Sequence, residues 1–393
     1  MSQILTRGFC DIEFKTRFVK IQVMMRKCNI DAILLTTKHD IHYFTGIITS
    51  FWESPTRPVY LILSINEFAP IAIIPNIYLY IMEKTWIKNI YTWTAPCVDD
   101  DGVSLLKDKL KIYKNLGIPM GIESQLRMPL SHLLYIVNEL NINLIDVSNF
   151  IQELRLIKSS AEIEKIRNIC QITSKSFNSL SYIINRLYIN TKHTLTERQL
   201  IKELHKILID NGADSVPYIS GISDYNGNDT IISNPSDKIL IPGEIMVIDV
   251  GCCYDQYYCD FNRNYAIGHS NSYIKSANKH LWYATEAALN SAKPGNTFHD
   301  LWKTQVTYLV NCGYDYNFFK NGRMGHSIGL QLTELPSVAK DEKTILQVGM
   351  VLTVEPSIQL NNGKLLVHEE CIVITQTGYQ LLSERAPIDF YYI

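Results

Sequence analysis

Residues 245–265 read IMVIDVGCCYDQYYCDFNRNY, and the fold turns on how this stretch is understood. Asp249 closes an apolar run, and Asp260 follows eleven residues later among aromatic and cysteine residues. Aspartate is a poor strand former, and a buried carboxylate without a partner is costly. The stretch otherwise patterns as a β-hairpin, so its two acids need a chemical reason. Three further polar residues interrupt apolar runs: His326 in GRMGHSIGLQL, Glu355 in GMVLTVEPSIQL and Glu369 in KLLVHEECIVIT. Side chains alternate faces along a strand, so Asp249 shares a face with Val247 and Gly251, and Glu355 with Thr353. The nearby bases Arg263, Arg323 and Lys364 are too few to neutralise four acids. Two Asp, two Glu and one His are what a pair of divalent cations requires, since carboxylates can bridge ions and imidazole supplies a nitrogen.

Taken singly, each residue has a plainer reading. Asp260 could pair with Arg263, His326 could cap a turn, Glu355 could be a solvated edge before Pro356, and Glu369 with Glu370 could guard an edge strand. Cys252, Cys253 and Cys259 flank the aspartates and read as small buried packing. The ordered set of acids and histidine outweighs these separate readings.

Working outward, 393 residues are long for one core, so two domains are expected. The 46% hydrophobic and 19% charged content is that of a globular chain, and a net charge of −2 gives no electrostatic case for nucleic acid or an anionic membrane. The N-terminus has no apolar core of signal-peptide type, and no run approaches the roughly 18 apolar residues of a membrane span. Nine scattered cysteines with no CxxC pair read as reduced thiols, which sets the expected location in the cytoplasm.

Residues 15–28 pattern as a helix, with Phe18, Ile21, Met25 and Cys28 on one stripe. Short apolar runs at 31–37, 58–65 and 68–75 follow, and their alternation with helices predicts an α/β first domain over 1–157. From Ser159 the pattern changes to long helices. Ser159 with Glu162 and Thr196 with Gln199 fit capping boxes, and Gly212 stops the second helix. Helices over 273–292 and 297–313, with strand-like runs at 245–252, 257–267, 350–360 and 365–376, make residues 158–393 an α+β domain.

The order Asp249, Asp260, Gly-His326, Glu355-Pro, then Glu369 before a strand resembles the creatinase/prolidase/aminopeptidase P/methionine aminopeptidase family. DIHYFTGI (40–47) is similar to a motif of that family's N-terminal domain, and LRLIKSSAEIEKIR (154–167) to the start of its catalytic domain. The resemblance spans the chain and implies a creatinase-like N-terminal domain before a pita-bread catalytic domain. It implies that Asp249, Asp260, His326, Glu355 and Glu369 hold two divalent ions, manganese first, with cobalt, iron or zinc also suited. Asp260 and Glu369 would bridge, Asp249 would serve one ion, His326 and Glu355 the other, and Glu355 would act as general base. The implied activity is hydrolysis of an amide C–N bond, Xaa-Pro dipeptidase or aminopeptidase in type, by a homodimer acting on a dipeptide or small molecule.

The sequence departs from the family around the substrate. It has no histidine between His205 and His269, Thr333 stands where a histidine would precede Glu334, and Val367-His368 replaces an arginine. Candidate substitutes are His368, as a catalytic or substrate-binding group, and Tyr225, Asp229 and Thr333 as substrate contacts. The segment SFWESPTRP (50–58) could approach an active site, in the family sometimes a partner subunit's. These departures keep open two other readings: a creatinase-like or ectoine-hydrolase-like enzyme acting on a small modified amino acid or osmolyte, and a binding scaffold without catalysis.

Overall fold

The computed structural model describes residues 7–54, 57–190 and 194–393, so Pro55 and Thr56 of the segment 50–58 lie outside the described residues. The chain divides into two compact units, the first ending at Arg155 and the second beginning at Leu156. In the first, strands β1 (Ala32–Leu35), β2 (Tyr60–Ser64), β3 (Ile71–Pro75), β4 (Asn89–Trp93), β5 (Asn115–Ile118) and β6 (Asn143–Asp146) form one sheet in the order β4-β3-β2-β1-β5-β6. Every residue of β1, β2 and β3 is buried, which is why these strands read as unbroken apolar runs rather than alternating ones. β1 pairs antiparallel with β2 and parallel with β5.

The motif at 40–47 lies on the helix Lys38–Thr45. Thr37 caps it by accepting the Asp40 N–H, and Gly46, at φ 76°, ends it. A Cβ on Gly46 would lie 2.6 Å from the Phe14 ring. Buried Asp40 is paired with Arg155 at 3.0 Å. The first helix spans Asp11–Lys27, four residues earlier than its apolar stripe indicates, because its first turn carries Asp11 and Glu13, which favour a helix N-terminus. Phe18, Ile21 and Met25 are buried, whereas Cys28 falls past the helix end and is exposed. In the segment 50–58, the Arg127 guanidinium donates to the carbonyls of Trp52, Ser54 and Arg57.

The second unit opens with the helices Ser160–Asn190 and Glu197–Asp210. Ser159 and Glu162 exchange side-chain to backbone hydrogen bonds, as do Thr196 and Gln199. β7 (Ser215–Tyr225), β8 (Glu244–Tyr254), β9 (Tyr257–Tyr258) and β10 (Phe261–Ala266) follow, and β18 (Tyr391–Tyr392) completes a sheet ordered β18-β10-β8-β7, with β9 on β8. A second sheet contains β11 (Arg323–Ser327), β12 (Glu334–Ala339), β13 (Val351–Val354), β16 (Glu370–Ile374) and β17 (Tyr379–Leu381) in the order β12-β11-β13-β16-β17. β14 (Ser357–Gln359) and β15 (Leu365–Val367) form a separate ribbon. The helices Ser272–Ser291 and Phe298–Asn311 pack with Leu352, Val354, Ile372 and Met324 in one apolar core, so the opposite faces of these strands are free for polar side chains.

Candidate metal centre

The aspartates sit where the opening stretch folds on itself. Asp255 and Gln256 take positive φ (49° and 70°), the conformation a two-residue hairpin turn requires. Buried Lys165 holds the Asp255 carboxylate, and Asp214 accepts its N–H at 2.7 Å. β8 and β10 then pair with Phe261 opposite Val250 and Asn262 opposite Asp249. Continuing that register puts Asp260 opposite Gly251, on the face of Asp249 and one diagonal step from it.

The glutamates occupy two interruptions of one hairpin. β13 pairs with β16 (Val354 with Glu370) and β14 with β15 (Ser357 with Val367), which is the same register on both sides of a gap. Pro356 lacks an N–H, and here the expected strands 350–360 and 365–376 each break in two. Glu355 and Glu369 therefore lie directly opposite one another, an unfavourable place for two like charges unless a cation lies between them. The Glu355 N–H is taken by Met324 O at 2.9 Å, and the His368 N–H by Pro356 O at 3.0 Å.

His326 adds the nitrogen. Its Nδ1–H donates to Ser327 O at 3.0 Å, which leaves a lone pair on Nε2. That atom faces Asp260 Oδ2 at 3.5 Å and Glu369 Oε1 at 3.9 Å. One ligand atom from each of Asp260, His326 and Glu369 lies within 4.8 Å of the others. Asp249 and Glu355 lie close enough for their charges to act on both Asp260 and Glu369, and that of Asp249 on Glu355. Asp260, His326 and Glu369 are buried, whereas Asp249 and Glu355 are partly exposed.

Burial, before any neighbour, sets the electrostatics. It pushes Asp249 up to about 6 and, with the charge of Asp249, pushes Glu355 up to about 8. Asp260 and Glu369 are raised well above the carboxylate range by burial and then by the surrounding acids. Burial and then Arg323 lower His326 to about 4, so its imidazole is neutral. Asp249 Oδ1, Asp260 Oδ1 and Glu369 Oε1 are buried and have no hydrogen-bond partner. Three orphaned carboxylate oxygens, two of them on residues clustered with the imidazole of His326, are a donor set that fits divalent cations.

One member of the site escapes the sequence. Tyr218 on β7 donates its hydroxyl to Asp249 Oδ2 at 3.0 Å, leaving only Oδ1 free. Burial and then Asp249 push its phenol up, so it stays protonated and keeps donating. Only the β7–β8 register, which sets Tyr218 against Gly251 and Ser220 against Asp249, reveals it.

His368 is buried, its Nδ1 meeting Thr285 Oγ1 at 2.9 Å and its Nε2 meeting Arg385 at 3.2 Å. Tyr225 pairs with Glu244, five positions from Asp249, or about 17 Å along the strand. Asp229 is exposed beside Asn228, which bridges to Leu365, four positions before Glu369. Thr333 is half-buried in the turn from β11 to β12, where neighbouring Leu332 packs against Gly251. Arg263 bonds Glu370, not Asp260. Cys252, Cys253 and Cys259 are buried, and Cys259 Sγ lies 3.2 Å from Thr173 Oγ1.

The chain is similar in sequence and fold to known proteins. Residues 164–376 match the pattern of metallopeptidase family M24, and residues 17–157 match the creatinase/prolidase N-terminal domain. An Xaa-Pro dipeptidase of Pyrococcus horikoshii is 28% identical over 93% of this chain and 96% of its own length. The crystal structure of a prolidase from Pyrococcus horikoshii superposes with a TM-score of 0.79 at 26% identity, covering 94% of this chain and 99% of that one. An X-Pro aminopeptidase from Thermotoga maritima shares the fold with a TM-score of 0.79 at 22% identity, over 96% and 99% of the two chains.

Proposed function

This chain belongs to metallopeptidase family M24, and on that premise we propose that it is an Xaa-Pro dipeptidase working with two divalent ions held by Asp249, Asp260, His326, Glu355 and Glu369. It is a metal-dependent hydrolase of pita-bread fold, preceded by a creatinase-type domain. The observation that supports the reading is the cluster of Asp260, Glu369 and the neutral imidazole of His326, with buried carboxylate oxygens left free there and on Asp249.

Divalent ions in such a site polarise a scissile carbonyl and ease the deprotonation of water. The chain supplies the rest. Ser327 fixes the tautomer of His326, and Tyr218 commits one oxygen of Asp249 and turns the other inward. Glu355, partly exposed, takes the proton of the attacking water and returns it to the leaving nitrogen. Manganese is the ion we propose, because carboxylate oxygens with one imidazole suit it; cobalt, iron and zinc suit the same set. We place the enzyme in the cytoplasm, where nine free cysteines stay reduced, as a homodimer, since Phe51, Ile77 and Tyr80 leave apolar surface exposed. Among the described residues, no helix is long and apolar enough to cross a membrane.

Manganese-loaded protein is expected to release proline from a panel of Xaa-Pro dipeptides, with release abolished in Asp249→Ala. No release from protein carrying two metals per chain would overturn the substrate and move it to the amide of a small modified amino acid.

A further inference from the structure

The segment KSSAEIEK (158–165) leads into the helix Ser160–Asn190 and holds none of the five ligands, yet it buries three charges. Lys158, Glu162 and Lys165 recur at i, i+4 and i+7, so they share one side of the helix and its entry. Lysine and glutamate are rarely buried unless paired. All three meet the two turns that neighbour metal ligands.

Lys165 pairs with Asp255 at the tip of the β8–β10 hairpin. Glu162 accepts the Tyr257 hydroxyl at 2.8 Å on one oxygen and the Ser159 N–H at 2.9 Å on the other. Lys158 pairs at 3.4 Å with Glu334, the first residue of β12. The Glu334 carboxylate accepts the Gln331 N–H at 3.2 Å and lies against Gly329, where a Cβ would meet it at 2.9 Å. The Gly329 carbonyl in turn accepts the Tyr258 N–H at 2.8 Å. These contacts close a ring through the helix start, the hairpin tip, the turn after β11 and back to the helix. Asp260 follows Tyr258 by two residues, and His326 precedes Gly329 by three. Asp260 leads into β10 and His326 stands on β11, strands of different sheets that the ring joins. A buried ion pair is a weak source of net stability, since apolar residues of like size often replace it without loss. What it adds over apolar packing is a fixed partner and direction.

We propose that Lys158, Glu162 and Lys165 are positioning residues of the metal centre. Through the hairpin tip they hold Asp260, and through Glu334 and Gly329 they hold His326. This role rests on the two-ion reading above, in which Asp260 bridges both ions and His326 serves one. Loosening the hairpin tip then weakens both ions, and loosening the Glu334 side weakens one.

The test is a calorimetric titration of manganese into the metal-stripped full chain. Replacing both members of a pair avoids a stranded buried charge, and asparagine tolerates the positive φ of position 255. Lys165→Met with Asp255→Asn is expected to weaken both manganese sites by about 10- to 100-fold, the range for partners that orient a ligand. Lys158→Met with Glu334→Gln is expected to weaken one site by as much and leave the other. Arg155→Met with Asp40→Asn removes a buried pair outside the ring and should leave both unchanged. Wild-type affinities in both ring variants overturn the proposal. So does an equal loss in the Arg155 variant, which would make the effect one of stability alone. Should the double variants fail to fold, Tyr257→Phe removes only the hydroxyl held by Glu162. It is expected to weaken both sites at the low end of that range, and wild-type affinity there overturns the proposal. If the wild type binds no manganese, the two-ion reading fails and amide hydrogen exchange decides alone. Faster exchange over residues 324–330 in the Lys165 double variant, or in Tyr257→Phe, supports the ring, and exchange equal to the wild type overturns it.

Discussion

Glu369 and Glu370 are adjacent in the chain, equally buried, and opposite in circumstance. Glu370 receives Arg263, Ser383, Arg385 and the Ala386 N–H, so both its oxygens are satisfied by the protein itself. Glu369 keeps a buried oxygen with no partner and faces three other acids. Burial alone thus says little about what an acid is for. An acid whose partners are built into the fold holds the fold, and one left without them is reserved for something that arrives later.

Crossed substitutions should give the largest contrast. Glu370→Ala breaks a buried ion-pair network and should lower the unfolding free energy by about 3–5 kcal/mol, while Glu369→Ala should leave the metal-stripped protein about as stable as before or more so. Urea denaturation of both proteins decides it, and equal losses would erase the distinction.

A pH series should sharpen it. Glu355 and Asp249 have folded-state pKa values raised to about 8 and about 6, so their protonated forms favour the metal-free fold. That contribution is complete below about pH 4 and is lost as pH rises towards 8. Metal binding needs the ionised forms, so the Tm difference between metal-loaded and metal-stripped protein should widen from pH 5 to pH 8. His326, neutral above about 4, adds nothing to this slope. A flat or narrowing difference in calorimetric scans would contradict the arrangement.

The smallest effect should come from Tyr218→Phe. It removes one hydrogen bond to a ligand, and loss of such a partner costs about 10- to 100-fold in metal affinity or activity. We expect the lower end, read as a weaker manganese dissociation constant with the fold retained.

The legible parts of the sequence are those with local causes. The apolar runs of β1 to β3, the capping pairs at Ser159 and Thr196, and the turn between Asp249 and Asp260 depend on near neighbours. The five candidate ligands stand out because each interrupts an apolar run. The rest depends on distant partners. His368 finds Thr285 and Arg385, and Arg263 finds Glu370 across 107 residues, none of which a local pattern reveals. Strand alternation already set His368 on the face away from Glu369.

The shared register of the two ladders around Glu355 and Glu369 carries a consequence for lineage. The ribbon β14–β15 acts as a ruler between the two acids, with the turn at 360–364 as its free end. A length change at that tip is absorbed as a longer or shorter loop. The same change between Glu355 and Ser357, or between Val367 and Glu369, slides one acid past the other and presents His368 or Glu370 in its place. Insertions and deletions among descendants of this chain should therefore gather at the tip and spare the two short gaps, however freely the residues around them are exchanged.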